Sequence, residues 1–181
     1  QIVEINYKKI KKIKFIFKYI NEININLNKY FNKKFFLNKV WFEKKIFEVN
    51  TEGDYKNKLP YVPHIDRNRF LKALIYLDIT DEKNGSIQFS KKNPEELENF
   101  RKKLIYNKKL SNIVDDHNSK YYSIIGNGGD LIFFDTNCPH KAGHGDKGEL
   151  RNIIRIDFEI IDWNRNTLFS KLKFDIKNFI N

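Results

Sequence analysis

A succession of short apolar segments rich in β-branched and aromatic residues, each closed by a turn signal, limits what this chain can fold into. From Leu71 onward the segments are LKALIYLDI, SIQF, YYSII, DLIFFDT and LRNIIRIDFEII. Between them stand DEKNG, GNGG and CPHKAGHGDKGE. Runs this short cannot be long helices, and their residue types suit a pleated surface. Asn84-Gly85 supplies the positive φ that a tight reversal demands. Helical spacing is confined to the ends and one insertion, so the expected fold is mainly β, an antiparallel sandwich or jelly roll with flanking helices.

Outside the repeated strands, Ile10, Ile13, Phe17 and Ile20 recur at helical spacing among lysines, predicting an amphipathic helix over roughly 3–20. Residues 35–49 alternate aromatic, β-branched and charged side chains and read as one or two strands. Asn93-Pro94-Glu95-Glu96 marks the start of a charged helix reaching about Leu110. Leu168, Leu172 and Ile176 suggest a short closing helix. The expected plan is one domain, with a helical flank over 1–34, a β core over 35–162 and a C-terminal helix over 163–181. A length of 181 residues with sixteen Phe and nine Tyr supports one real core and hardly two.

The formal net charge of +11 invites a nucleic-acid reading. Lysine, however, rises together with Ile and Asn throughout, as codon bias in an A/T-rich genome produces. If the charge is selected, it favours an anionic small molecule or nucleic acid through steering. The single cysteine, Cys138, excludes an intramolecular disulfide and suggests a reducing, cytoplasmic setting. No stretch has the length of a membrane span or the pattern of a signal peptide. The chain starts at Gln1 rather than Met, so a longer parent protein stays open, as does the oligomeric state.

The chemistry rests on a constellation. His64 and Asp66 stand two apart beside a strong strand, a spacing that turns both side chains to one face. A second histidine, His140, lies 74 residues on (140 − 66), just past the strand DLIFFDT. Two imidazoles and one carboxylate on one face of an octahedron leave open positions, the pattern of non-haem iron(II) oxygenases. Arg151, eleven residues after His140 (151 − 140), begins the next strand and can clamp a carboxylate through two parallel hydrogen bonds.

These elements, HID, a hydrophobic strand ending in DEKNG, then GDLIFFDTNCPH and an arginine at plus eleven, resemble the phytanoyl-CoA dioxygenase family over roughly Tyr61 to Phe158. The resemblance implies a double-stranded β-helix, iron(II) held by His64, Asp66 and His140, and 2-oxoglutarate anchored by Arg151. It implies an Fe(II)/2-oxoglutarate-dependent dioxygenase that consumes O₂ to hydroxylate a C–H bond of a small molecule. Two departures bear on substrate and cosubstrate contacts: FSKKNP stands where members carry a Pro-Gly-Ser/Thr-His stretch, and Ala142 replaces a serine two past the distal histidine.

Other residues carry competing readings. His144 is a rival third ligand, because Arg155 follows it at the same spacing of eleven (155 − 144). The alternative places both near substrate, with Arg155 binding a second anion or pairing with Asp157. Lys72, Leu74 and Tyr76 alternate on one strand face, where Tyr76 and Lys72 are candidates to hold the cosubstrate. Cys138 reads as a small buried residue and His117 as a loop residue. Alternatives are a nucleic-acid-modifying oxygenase of the same chemistry and a non-catalytic metal-binding jelly roll.

Overall fold

The longest pairing in the molecule joins strands separated by more than a hundred residues. In the computed structural model, described for residues 2–5, 11–48, 58–114 and 119–160, β2 (Phe36–Ile46) runs antiparallel to β8 (Leu150–Glu159). The pairing runs from Phe36↔Glu159 to Ile46↔Leu150, with an irregularity between Leu37 and Lys39. β8 also pairs with β3 (Leu71–Tyr76), and β3 with β6 (Leu131–Asp135). With β1 (Ile2–Ile5) on the far edge, the large sheet has the order β1-β2-β8-β3-β6. A smaller sheet, in the order β5-β4-β7, is built from β4 (Ile87–Ser90), β5 (Tyr121–Ser123) and β7 (His140–Ala142). All named pairings are antiparallel, and the two sheets form the expected double-stranded β-helix, or jelly roll.

The period of two in the strands assigns the faces of the large sheet. Leu71, Ala73 and Ile75 of β3 and Ile156 and Phe158 of β8 pack with Ile20, Ile23 and Leu27 of helix α1 (Lys14–Phe31). The alternate residues Leu74, Tyr76 and Ile153 point the other way, joining Phe134, Ile87 and Phe89 between the sheets. One face of the sheet is thus sealed by a helix, and the other is left to enclose a cavity.

The N-terminal flank is not wholly helical. Residues 2–5, expected in a helix over 3–20, form edge strand β1 in register with β2 (Ile2↔Glu43 to Ile5↔Val40). The helical spacing seen at Ile13, Phe17 and Ile20 continues through Ile23 and Leu27 to Phe31, so α1 lies further along the chain. It stops at Asn32, which takes the left-handed conformation (φ 48°) that favours asparagine at a helix end. The inserted helix is also divided. Asn93 caps a 3-10 turn, Pro94–Leu97, by accepting from the Glu95 amide at 3.0 Å, and α2 runs only over Glu98–Tyr106. The expected C-terminal helix over 163–181 and His117 lie outside the described residues.

Candidate metal centre

Backbone pairing brings the two histidines together. His64 donates its amide to the His140 carbonyl (3.0 Å), and His140 donates back to His64 (2.9 Å), which makes them directly opposed partners of an antiparallel bridge. Their rings stand 4.4 Å apart between centroids. Asp66, two residues along, donates its amide to the Thr136 carbonyl (3.0 Å), so the segment stays registered against the β6–β7 connection. One ligand atom from each of His64, Asp66 and His140 lies within 4.8 Å of the others. The spacing read from the sequence is therefore realised as a cluster.

Each imidazole is fixed in the tautomer that a metal requires. His64 Nδ1 lies 2.8 Å from the Val62 carbonyl, and His140 Nδ1 lies 2.9 Å from that of Cys138. A carbonyl only accepts, so both Nδ1 atoms carry the hydrogen and both Nε2 lone pairs are free to ligate. Burial depresses the histidine pKa values: His140 is pushed down to about 3, and His64 also falls below its ordinary value. The 3.9 Å approach of His140 Nε2 to Asp66 Oδ1 is accordingly no ion pair at neutral pH. Burial works to raise the Asp66 pKa, but the Lys72 ammonium together with the neighbouring His140 and His64 holds the carboxyl below its ordinary value. Two neutral imidazoles and an ionised carboxylate are the protonation states that a divalent cation needs. The donor set fits one.

These three residues open into a cavity of about 490 Å³ between the sheets. Lys72, Tyr76, Arg151 and Arg155 line it, as their alternation on β3 and β8 requires. Arg151 is buried. It donates through Nη1 to the Gly85 carbonyl and through Nη2 to Glu43 Oε1 at 2.9 Å, while its buried Nε–H has no hydrogen-bond partner. That orphaned donor in the cavity wall suits an oxyanion. Lys72 sits on the metal cluster itself, with Nζ bonded to Asp66 Oδ2. Tyr76 donates its hydroxyl to the Ile124 carbonyl at 2.7 Å, and burial raises its pKa to about 12.

His144 lies outside the cluster, stacked on Tyr61 with centroids 5.0 Å apart. Arg155 stands 3.4 Å from Asp157 Oδ1, the pairing weighed from the sequence, and also lines the cavity. Cys138 lies against the Ser90 carbonyl (3.4 Å), and burial raises its thiol to about 11, which suits an inert side chain and no metal ligand. Sequence reading missed Glu43 and Lys45, which reach the cavity from β2. Their alternation in KVWFEKKIFEV was a usable signal, but only the β2–β8 register (Glu43↔Ile153, Lys45↔Arg151) shows what they face.

No protein-family model matches the sequence, and no curated protein does. Similarity appears among solved structures. EvdO2 from Micromonospora carbonacea var. aurantiaca, crystallised with 2-oxoglutarate, aligns with a TM-score of 0.54 at 13% identity, over 87% of this chain and 66% of that protein. SnoN, a non-haem α-ketoglutarate-dependent epimerase from nogalamycin biosynthesis, aligns with a TM-score of 0.53 at 15% identity, over 76% of this chain and 52% of that one. The chain spans less than two-thirds of the length of either. At such identity the likeness establishes the fold, and membership of the phytanoyl-CoA dioxygenase family is not established by it.

Proposed function

We propose that the protein is an Fe(II)- and 2-oxoglutarate-dependent dioxygenase that hydroxylates a C–H bond of a small molecule. The observation that carries this reading is the joint placement of the His64–Asp66–His140 cluster and the unpartnered Arg151 Nε in the wall of one cavity. EvdO2 binds 2-oxoglutarate on the same fold, and SnoN depends on it, which supports the reading. A cavity of about 490 Å³ is of the size that holds small ligands.

In this reading His64 and His140 supply Nε2, and Asp66 supplies a carboxylate oxygen, leaving open positions for cosubstrate and O₂. Iron with 2-oxoglutarate provides the oxidising chemistry, and the protein provides binding, orientation and exclusion of water. Arg151 anchors the far carboxylate of 2-oxoglutarate, its guanidinium plane held by Gly85 and Glu43. Lys72 and Tyr76 complete the polar wall. Leu74, Phe134 and Ile153 keep the site apolar around the reacting carbon.

Release of CO₂ from carboxyl-labelled 2-oxoglutarate tests the proposal, since such enzymes turn over slowly without their prime substrate. Iron-dependent release that disappears in Asp66→Ala is expected. Release that is absent from the wild-type protein, or unchanged in Asp66→Ala, would overturn it.

A further inference from the structure

We infer that Arg155 is the anchor for an anionic group on the substrate, so that the molecule oxidised carries a carboxylate, phosphate or sulfate. The inference rests on the proposed function and names the substrate class of the same site.

Charge supplies the first argument. Among the described residues, Lys45, Lys72, Arg151 and Arg155 line the cavity with Glu43 and Asp66, and Asp157 stands behind Arg155, so the wall is basic where a ligand would lie. An anionic group suits such a wall better than a neutral one.

Arg155 itself is built to receive an anion. Its guanidinium carbon lies 4.9 Å from the centre of the Trp41 ring, its cross-strand partner in the β2–β8 register. Trp41 is held in turn by its indole N–H to Asp157 Oδ2 at 3.3 Å. The plane of the arginine is thus set by stacking, a device that leaves its edge donors available. Asp157 approaches Nε at 3.4 Å without a hydrogen bond, and that buried Nε has no hydrogen-bond partner. The side chain is 27% exposed, so it is neither sealed in the core nor a solvated surface group.

Arg151 and Arg155 stand four residues apart on one strand face, about 13 Å of backbone. That separation gives the cavity two anion positions, one for the cosubstrate and a second for the substrate. Leu74, opposite Arg155 in β3, and Ile153 make the wall between them apolar. The carbon skeleton would rest on that wall.

Sulfate serves as the probe. The protein, carrying Trp163→Phe so that Trp41 is the sole tryptophan, is loaded with Mn(II) and 2-oxoglutarate without oxygen, sulfate replaces chloride at constant ionic strength, and tryptophan fluorescence reports on Trp41. A saturable change is expected in the wild type, at least tenfold weaker in Arg155→Gln and intermediate in Arg155→Lys, which keeps the charge and loses the planar fork. Arg151→Gln should retain the sulfate response while weakening 2-oxoglutarate. No response beyond chloride, or one equal in Arg155→Gln, overturns the inference, as does a response lost in Arg151→Gln alone. Failure of the underlying functional reading looks different: 2-oxoglutarate does not bind, yet sulfate still perturbs Trp41 through Arg155.

Discussion

At His140 a single carbonyl decides the chemistry. Because Cys138 accepts the Nδ1 hydrogen, Nε2 is left as a lone pair aimed at His64 and Asp66. Lys72, a candidate from the sequence to hold the cosubstrate, places its ammonium on the Asp66 carboxylate to which a metal would bind. It acts as the internal counter-ion of the cluster. A divalent ion must displace it and then tolerate a neighbouring positive charge. Lys72→Met is therefore expected to tighten Mn(II) binding on the order of tenfold, measured by direct titration, and unchanged or weaker binding would contradict that role. Spacing and the family resemblance together pointed to His64, Asp66 and His140, which the fold does bring into one cluster. The Arg151–Glu43 pair was not legible, because its members are 108 residues apart and meet only through strand register.

Elements show the same division between local and non-local information. The reversal at Asn84-Gly85 is encoded locally: Gly85 has φ +76°, as an asparagine-glycine turn demands. A Cβ there would also lie 2.8 Å from the Gly143 carbonyl oxygen. Since the Gly85 carbonyl holds Arg151, Gly85→Ala is expected to cost about 1–3 kcal/mol of stability and to weaken 2-oxoglutarate binding as well. Thermal melts and a cosubstrate titration check both effects, and a variant that loses stability with undiminished 2-oxoglutarate affinity would separate the turn from the site. By contrast, IVEI has the β-branched composition of a strand, but four residues next to a long helical stripe are too short for that signal to decide. The partner of β1, strand β2, lies some forty residues along the chain, and edge pairing of this kind leaves little local signature. The start of α1 was misplaced because Ile10, Ile13 and Phe17 carry the same helical spacing as the buried stripe that follows them.

For the whole molecule, the buried neutral histidines link stability to pH. The unfolded chain takes up protons at histidine below about pH 6.5, whereas folded His140 resists down to about 3. The unfolded state therefore binds more protons in that window, and the metal-free protein loses stability as pH falls through it. One such group contributes about 1.4 kcal/mol per pH unit at most. Urea unfolding at pH 7 and pH 5 should differ by roughly 2 kcal/mol from His140 alone, with a smaller difference in His140→Gln; an equal pH dependence in the variant would contradict it. Charge acts at this scale too. Among the described residues no helix is long and apolar enough to cross a membrane. The cavity shares the basic excess of the chain as a whole, so part of the +11 sits where it can act on a ligand.

Fe(II) followed by 2-oxoglutarate, added without oxygen to the metal-free protein, gives the most direct test of the metal and cosubstrate site. Chelation of 2-oxoglutarate to the bound iron should produce a weak visible charge-transfer band in the wild type. The band should be absent in His140→Ala and should require at least tenfold more 2-oxoglutarate in Arg151→Gln. Iron binding without any band, or a band indifferent to Arg151, would contradict the assignment and leave a metal-binding jelly roll in its place.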